Sequence, residues 1–164
     1  MAGERDSERA GRSGADAAET TVAIASDHAG LALKRVLAAE IAGLGLVPLD
    51  LGTHTDASVD YPDFADAAAR ALADGRARRA VLVCGSGIGI GMAANRHRHV
   101  RAAVCHDGLS ARLAREHNDA NVLALGARLI GEETAKDALR VFLATKFDGG
   151  PRHARRVAKL GAPA

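Results

Sequence analysis

From residue 21 onward, short apolar runs alternate with longer stretches whose apolar residues recur every three or four positions. Thr21 to Ser26 shows no polar alternation, the pattern of a strand buried on both faces. Leu31, Leu33, Val36, Leu37, Ile41 and Leu44 then fall at helical spacing up to Gly45. Leu46 to Leu51 predicts a second strand. Pro48 within it cannot donate to a ladder, which assigns that strand to a sheet edge. Tyr61 to Ala73 predicts a helix with Pro62 in its first turn. Ala80 to Cys84, Arg101 to Cys105 and Asn121 to Leu125 predict three more strands. Each is followed by a predicted helix: from a Gly-rich turn to about Arg96, from Leu109 to His117, and from Glu132 to Thr145. A short last helix follows Pro151. Five strand–helix units in series predict an α/β domain. It is a single open doubly wound parallel five-stranded sheet with helices on both faces, a Rossmann-like three-layer sandwich. Ligands of such sheets bind beyond the carboxyl ends of the strands. Chemistry is therefore expected at Asp27-His28, Gly52-Thr53, Cys84 to Gly91, His106-Asp107 and Gly126 to Arg128.

Composition narrows the classes of function. The 164 residues suit one domain. Residues 1–20 mix acids and arginines with Gly, Ser and Ala; they predict a disordered tail ahead of a domain over 21–160. No signal-peptide core or membrane-length apolar run occurs. Aromatic residues make up only 2% of the chain, too few for a platform that stacks nucleic-acid bases. A net charge of +2 without a basic block gives no electrostatic reason to expect nucleic acid or membrane as a partner. Two cysteines make no disulfide framework and fit a cytoplasmic, reducing setting.

The segment Cys84-Gly85-Ser86-Gly87-Ile88-Gly89-Ile90-Gly91 joins the third strand to its helix. Its glycines allow main-chain N–H groups to converge on an anion beside a helix N-terminus. A dinucleotide fingerprint is excluded, because Ile90 or Met92 stands where its third glycine belongs and the turn follows the third strand. A P-loop is excluded by the missing Gly-Lys-Ser/Thr. Close helix–sheet packing is the alternative use of these glycines. Cys84 at the mouth of the turn is placed to serve as a nucleophile or a proton-abstracting base, or as a small buried hydrophobe. Cys105 also ends a strand but has no glycine cradle, and is read as structural.

Other strand and helix ends carry polar candidates. Asp27 could bind a sugar or cap a helix, and His28 could bind phosphate or be solvated. His117 could act as acid and base, or complement a helix dipole. Arg152 and Arg156 share a helical face and could grip a phosphate, or form a solvated basic face. His97-Arg98-His99 is a poor metal site, because side chains at i and i+2 diverge on a helix.

Several segments together resemble the type B ribose-5-phosphate isomerases, in a family that also holds galactose-6-phosphate and allose-6-phosphate isomerases. They are Ser26-Asp27-His28-Ala29-Gly30, Asp60-Tyr61-Pro62, Cys84 to Gly89, Ala94-Asn95 with Arg101-Ala102, Glu116 to Leu123, and Gly149-Gly150 with Arg152-His153. The resemblance runs from about residue 21 to 158. It implies a reversible aldose–ketose isomerisation, ribose 5-phosphate to ribulose 5-phosphate or the same chemistry on a six-carbon sugar phosphate, through a cis-enediolate. In that pattern Cys84 is the base, and the backbone of Gly85, Ser86, Gly87, Ile88 and Gly89 holds the enediolate oxygen. Ser86 assists with its hydroxyl, and His117 opens the furanose ring. Asp27 and Asn118 hold sugar oxygens. His28, Arg128, Arg152 and Arg156 bind the phosphate, and Tyr61 lines the pocket. The resemblance further implies a homodimer or a tetramer of dimers with shared sites, and no metal or organic cofactor. One branch of the family has Ser for the Cys and a Glu base a few residues on; here Cys84 and Ile88 mark the Cys type. Pro151 is inserted ahead of the tail arginines. A sugar-phosphate-binding protein without activity is the competing class, and a thiol at the cradle speaks against it.

Overall fold

The computed structural model describes residues 17–162. Five strands form one parallel sheet: β1 (Thr21–Ser26), β2 (Val47–Asp50), β3 (Arg79–Cys84), β4 (Ala102–Val104) and β5 (Val122–Gly126), in the order β2-β1-β3-β5-β4. The helices are α1 (Leu31–Gly43), α2 (Tyr61–Ala73), α3 (Ile88–Ala94), α4 (Gly108–Asn118), α5 (Glu132–Ala144) and α6 (Pro151–Leu160), with a 3₁₀ turn at His28–Gly30.

Alternation along each strand divides the core in two. Val22, Ile24, Val81, Val83, Leu123 and Leu125 face α1, α4 and α5, where Leu37, Ile41, Leu139 and Phe142 are fully buried. Ala23, Ala25, Ala80, Leu82 and Ala124 face α2 and α3, a layer built largely from Ala65, Ala68, Ala69, Ala93 and Ala94. Small residues on that side let α3 and its glycines lie close to the sheet.

Burial on both faces holds for β1, β3 and β5 but not for the edges. β2 and β4 have half-buried and exposed residues because a neighbour covers them on one side only. Pro48 does lie on an edge strand. The third helix stops at Ala94, short of the expected Arg96. Asn95 turns away and pairs with β4, accepting from Ala102 N at 2.8 Å and donating to Ala102 O at 2.9 Å. The expected tail covered residues 1–20. Residues 1–16 lie outside the described residues, whereas residues 17–20 are helical, with Ala18 buried and Glu19 paired to Arg78 at 2.7 Å. Residues 17–20 thus differ from the expectation, because Ala18 finds an apolar seat that composition does not show. No described helix is long and apolar enough to cross a membrane.

The chain passes from β1 to β2 on one side and then crosses back to place β3 on the other side of β1. The topological switch point, where doubly wound sheets open a crevice, therefore falls between the carboxyl ends of β1 and β3. Those ends carry Asp27-His28 and Cys84.

Candidate active site

The crevice is built by close backbone approaches. Asp27 N donates to Val83 O at 3.2 Å, which ties the loop after β1 to the end of β3. Gly30 sits so near that a Cβ there would stand 2.6 Å from Val83 O. Asp27 is buried, and its Oδ1 accepts from Gly30 N at 3.0 Å, so the capping role is real. The other carboxylate oxygen has no such bond to the turn. His28 is half-buried and accepts from Val59 N at Nδ1, at 3.2 Å, leaving Nε2 for a ligand.

Cys84 ends β3, level with Gly126 of β5, and is 4% exposed. The N–H of Gly87 donates to its sulfur at 3.0 Å. That approach needs the left-handed backbone of Gly87, φ 77°, and a side chain there would stand 2.9 Å from the Leu125 carbonyl carbon. Gly87→Ala therefore combines a left-handed residue with a steric clash, and should cost roughly 2–4 kcal/mol. Thermal unfolding checks this, and the expected fall is of the order of 4–15 °C.

Two further glycines seat side chains on the cradle. A Cβ on Gly89 would fall 2.7 Å from the Tyr61 ring, so the ring lies over that backbone. A Cβ on Gly85 would lie 3.5 Å from the Arg128 guanidinium, and Arg128 N donates to Gly85 O at 3.0 Å. Ser86 Oγ accepts from Ile88 N at 3.3 Å. Asp27, His28, Tyr61, the turn from Cys84 to Gly89 and Arg128 thus gather at one pole of the sheet.

Cys105 contrasts with Cys84. It packs in the α1, α4 and α5 half of the core, and burial pushes its thiol up to about 11. At neutral pH it stays protonated.

The other predicted residues are elsewhere in the same chain. α4 runs back from the carboxyl end of β4, so His117 and Asn118 lie at the amino end of β5, with Asp119 bonded to Arg101 just ahead of β4. The length of β5 alone, about 13 Å at ~3.3 Å per residue, separates that end from Cys84. The His117 ring stacks on His153 of α6, centroids 4.5 Å apart and planes 6° from parallel. Arg152 precedes His153, and Arg156 follows one turn on; both arginines are exposed. Asn118 is also exposed and borders a small pocket with Asn95, Arg101 and Leu160. The structure therefore sorts the candidates into two sets at opposite poles. Sequence reasoning missed His153 as a member of the second set. No sequence signal marks it: its burial, on a helix that is otherwise exposed, arises only when α6 packs against α4.

A cavity of about 1010 Å³ lies at the amino pole and is lined by Arg78, Arg79, Arg101 and Arg115 among others. Those cations already have protein partners. Arg78 pairs with Glu19, Arg101 and Arg115 with Asp119, and Arg79 donates to carbonyls of Phe142 and Leu143. The same holds for the rejected metal motif: His97 bonds Asp66 and His99 bonds the Ala69 carbonyl, each at 2.8 Å. The hydrogen bond from His97, with Arg96 beside it, lowers the Asp66 carboxyl.

An open parallel sheet with a thiol in a glycine cradle at its switch point defines the class: an α/β protein built to hold a small anionic ligand. Its sequence matches the Ribose/Galactose Isomerase family over residues 22–160, and the chain belongs to that family. Ribose-5-phosphate isomerase B of Escherichia coli is 40% identical over 141 residues, 86% of this chain and 94% of that one. D-erythrulose-4-phosphate isomerase of Pectobacterium atrosepticum is 41% identical over 142 residues, 86% and 93% of the two chains. The structure of Clostridium thermocellum ribose-5-phosphate isomerase B superposes with a TM-score of 0.84 at 47% identity, covering 86% of this chain and 95% of that one. The expected fold is borne out, and the chain is an aldose–ketose isomerase of sugar phosphates.

Proposed function

We propose that the chain interconverts ribose 5-phosphate and ribulose 5-phosphate through a cis-enediolate, with Cys84 as the base. The observation that carries this reading is the Cys84 sulfur at the switch point, facing the Gly87 N–H at 3.0 Å. The thiolate removes the C2 proton of the open-chain aldose and returns it to C1. The hydroxyl proton passes from O2 to O1, with Ser86 Oγ as the relay. Charge grows on oxygen as the C2 proton leaves. Backbone donors between Gly85 and Gly89, fixed before the substrate arrives, stabilise that charge by about 3–4 kcal/mol each. Tyr61 lines the sugar pocket and Asp27 holds a sugar hydroxyl. His28, Arg128, Arg152 and Arg156 bind the phosphate. Holding a phosphate far from the reacting carbons supplies binding energy that orients them.

His117 opens the ring and Asn118 holds a sugar oxygen. Both stand at the pole away from the Cys84 of their own chain, so the complete site is assembled from two subunits. A homodimer related by a two-fold axis gives each Cys84 the His117 of its neighbour. Ile88, Met92, Val104 and Leu109 are large, apolar and exposed close to the cradle, which suits a covered interface. No metal or organic cofactor takes part in this scheme. The unpaired cysteines fit a cytoplasmic enzyme.

Two experiments test the reading. A coupled assay compares ribose 5-phosphate with allose 6-phosphate and galactose 6-phosphate; faster turnover of either hexose phosphate would reassign the substrate. Subunit mixing tests the shared site. Cys84→Ala and His117→Asn homodimers are each expected to be inactive on ribose 5-phosphate. Denatured and refolded together, they should recover about a quarter of wild-type activity. Half the dimers are then mixed, and one of their two sites is intact. No recovery in dimers shown to be mixed would place the whole site within one subunit.

A further inference from the structure

We propose that His153 is a positioning residue that joins the ring-opening imidazole to the phosphate grip. The proposal rests on the reading of His117 and Arg152 given above. His153 is 8% exposed on a helix whose neighbouring positions are open to solvent. Its ring lies face to face with His117, centroids 4.5 Å apart and planes within 6°. Its Nε2 stands 3.3 Å from an Arg152 Nη2. A guanidinium has no acceptor, so in this contact Arg152 donates and His153 accepts. Asp148 Oδ2 lies 3.9 Å from the same nitrogen. The loop that carries Asp148 is tied to α4 by a bond from Asp148 N to Glu116 O at 3.1 Å.

One buried ring therefore touches two functional groups in two different ways. Its face sets the plane of His117, which must meet the ring oxygen and the anomeric hydroxyl of the furanose in turn. Its Nε2 sets the direction of Arg152, whose side chain would otherwise move freely at an exposed site. The two contacts are chemically separable. Phenylalanine keeps a flat face and loses the acceptor. Asparagine keeps a short carbonyl acceptor and loses the face.

The test measures kcat and KM for wild type, His153→Phe and His153→Asn on two aldose phosphates, alongside thermal midpoints. Ribose 5-phosphate is cyclic. Erythrose 4-phosphate cannot close a five-membered ring, because its C4 oxygen carries the phosphate. His153→Phe should raise KM for both substrates by about tenfold and change kcat little, since it loosens only the phosphate contact. His153→Asn should lower kcat on ribose 5-phosphate by about tenfold or more while kcat on erythrose 4-phosphate stays within about twofold, because misplacing an acid–base group by an ångström is that costly. Should His153→Asn not fold, His153→Gln fills more of the space and carries the same expectation. Equal losses on both sugars in both variants, or no change in either, would overturn the proposal and leave His153 a packing residue. Wild type inactive on both sugars would instead overturn the functional reading on which it rests.

Discussion

Cys84→Ala is expected to lower turnover of ribose 5-phosphate by about 10²–10⁴-fold, the contribution of a well-placed proton-transfer group. The loss should appear in kcat. Deleting one sulfur from a buried position removes neither the cradle backbone nor the phosphate contacts, so substrate binding should persist. The N–H of Gly87 loses the acceptor it has at 3.0 Å. A lost neutral hydrogen bond costs on the order of 1 kcal/mol, which the domain should survive. Cys84→Ser separates the two effects, since the hydroxyl keeps an acceptor for Gly87 but is a far weaker base near neutral pH. Cys105→Ala is the control. That thiol is held protonated by burial, pushed up to about 11, and it belongs to the other half of the core. Its loss should leave turnover within about twofold, as expected of a substitution that touches no reacting atom. A coupled assay on the purified protein measures all three. More than about a tenth of wild-type activity in Cys84→Ala is incompatible with a base worth 10² or more and would assign the proton transfer to another group.

His117→Asn is expected to act on ring opening alone. A furanose must expose its carbonyl before the C2 proton becomes acidic. An imidazole can carry a proton between the ring oxygen and the anomeric hydroxyl near neutral pH. Without it, the enzyme waits for the sugar to open in solution. Turnover of ribose 5-phosphate should fall by about 10²-fold or more. The remaining rate should also stop rising as enzyme is added, because it is limited by a step that the enzyme no longer catalyses. Erythrose 4-phosphate needs no opening, and its turnover should stay within a few-fold of wild type on the same physical ground. An equal loss on both sugars, with a rate still proportional to enzyme, would make His117 part of the proton transfer between carbons. Comparing directions is a weaker test, since the ratio of kcat/KM values in the two directions is tied to the equilibrium constant.

Much of this protein was legible along the chain. The uniform apolar runs at Thr21–Ser26 and Ala80–Cys84 announced central parallel strands, and the helical periods between them announced the covering layers. The glycines around Cys84 could be read because a left-handed residue and a close backbone approach admit few other side chains. Local chemistry of that kind is written where it acts. The candidate site was legible as a set of residues, most of them at the end of a strand or helix.

Tertiary structure alone decided how those residues are grouped. Strand order put Asp27 and Cys84 side by side at the switch point, though 57 positions of chain separate them. The return path of α4 carried His117 to the opposite pole. No spacing reveals such distances, because they depend on which strands pair and on which way each helix runs. Nor could spacing find the stack of His117 on His153, two aromatic rings that meet only when α6 folds back onto α4. The same limit applied at residues 17–20, where composition suggested solvent and Ala18 is buried. Propensity belongs to a segment and can be read within it. Burial and approach belong to pairs of segments, and are settled only when the sheet has formed and its edges have found their neighbours.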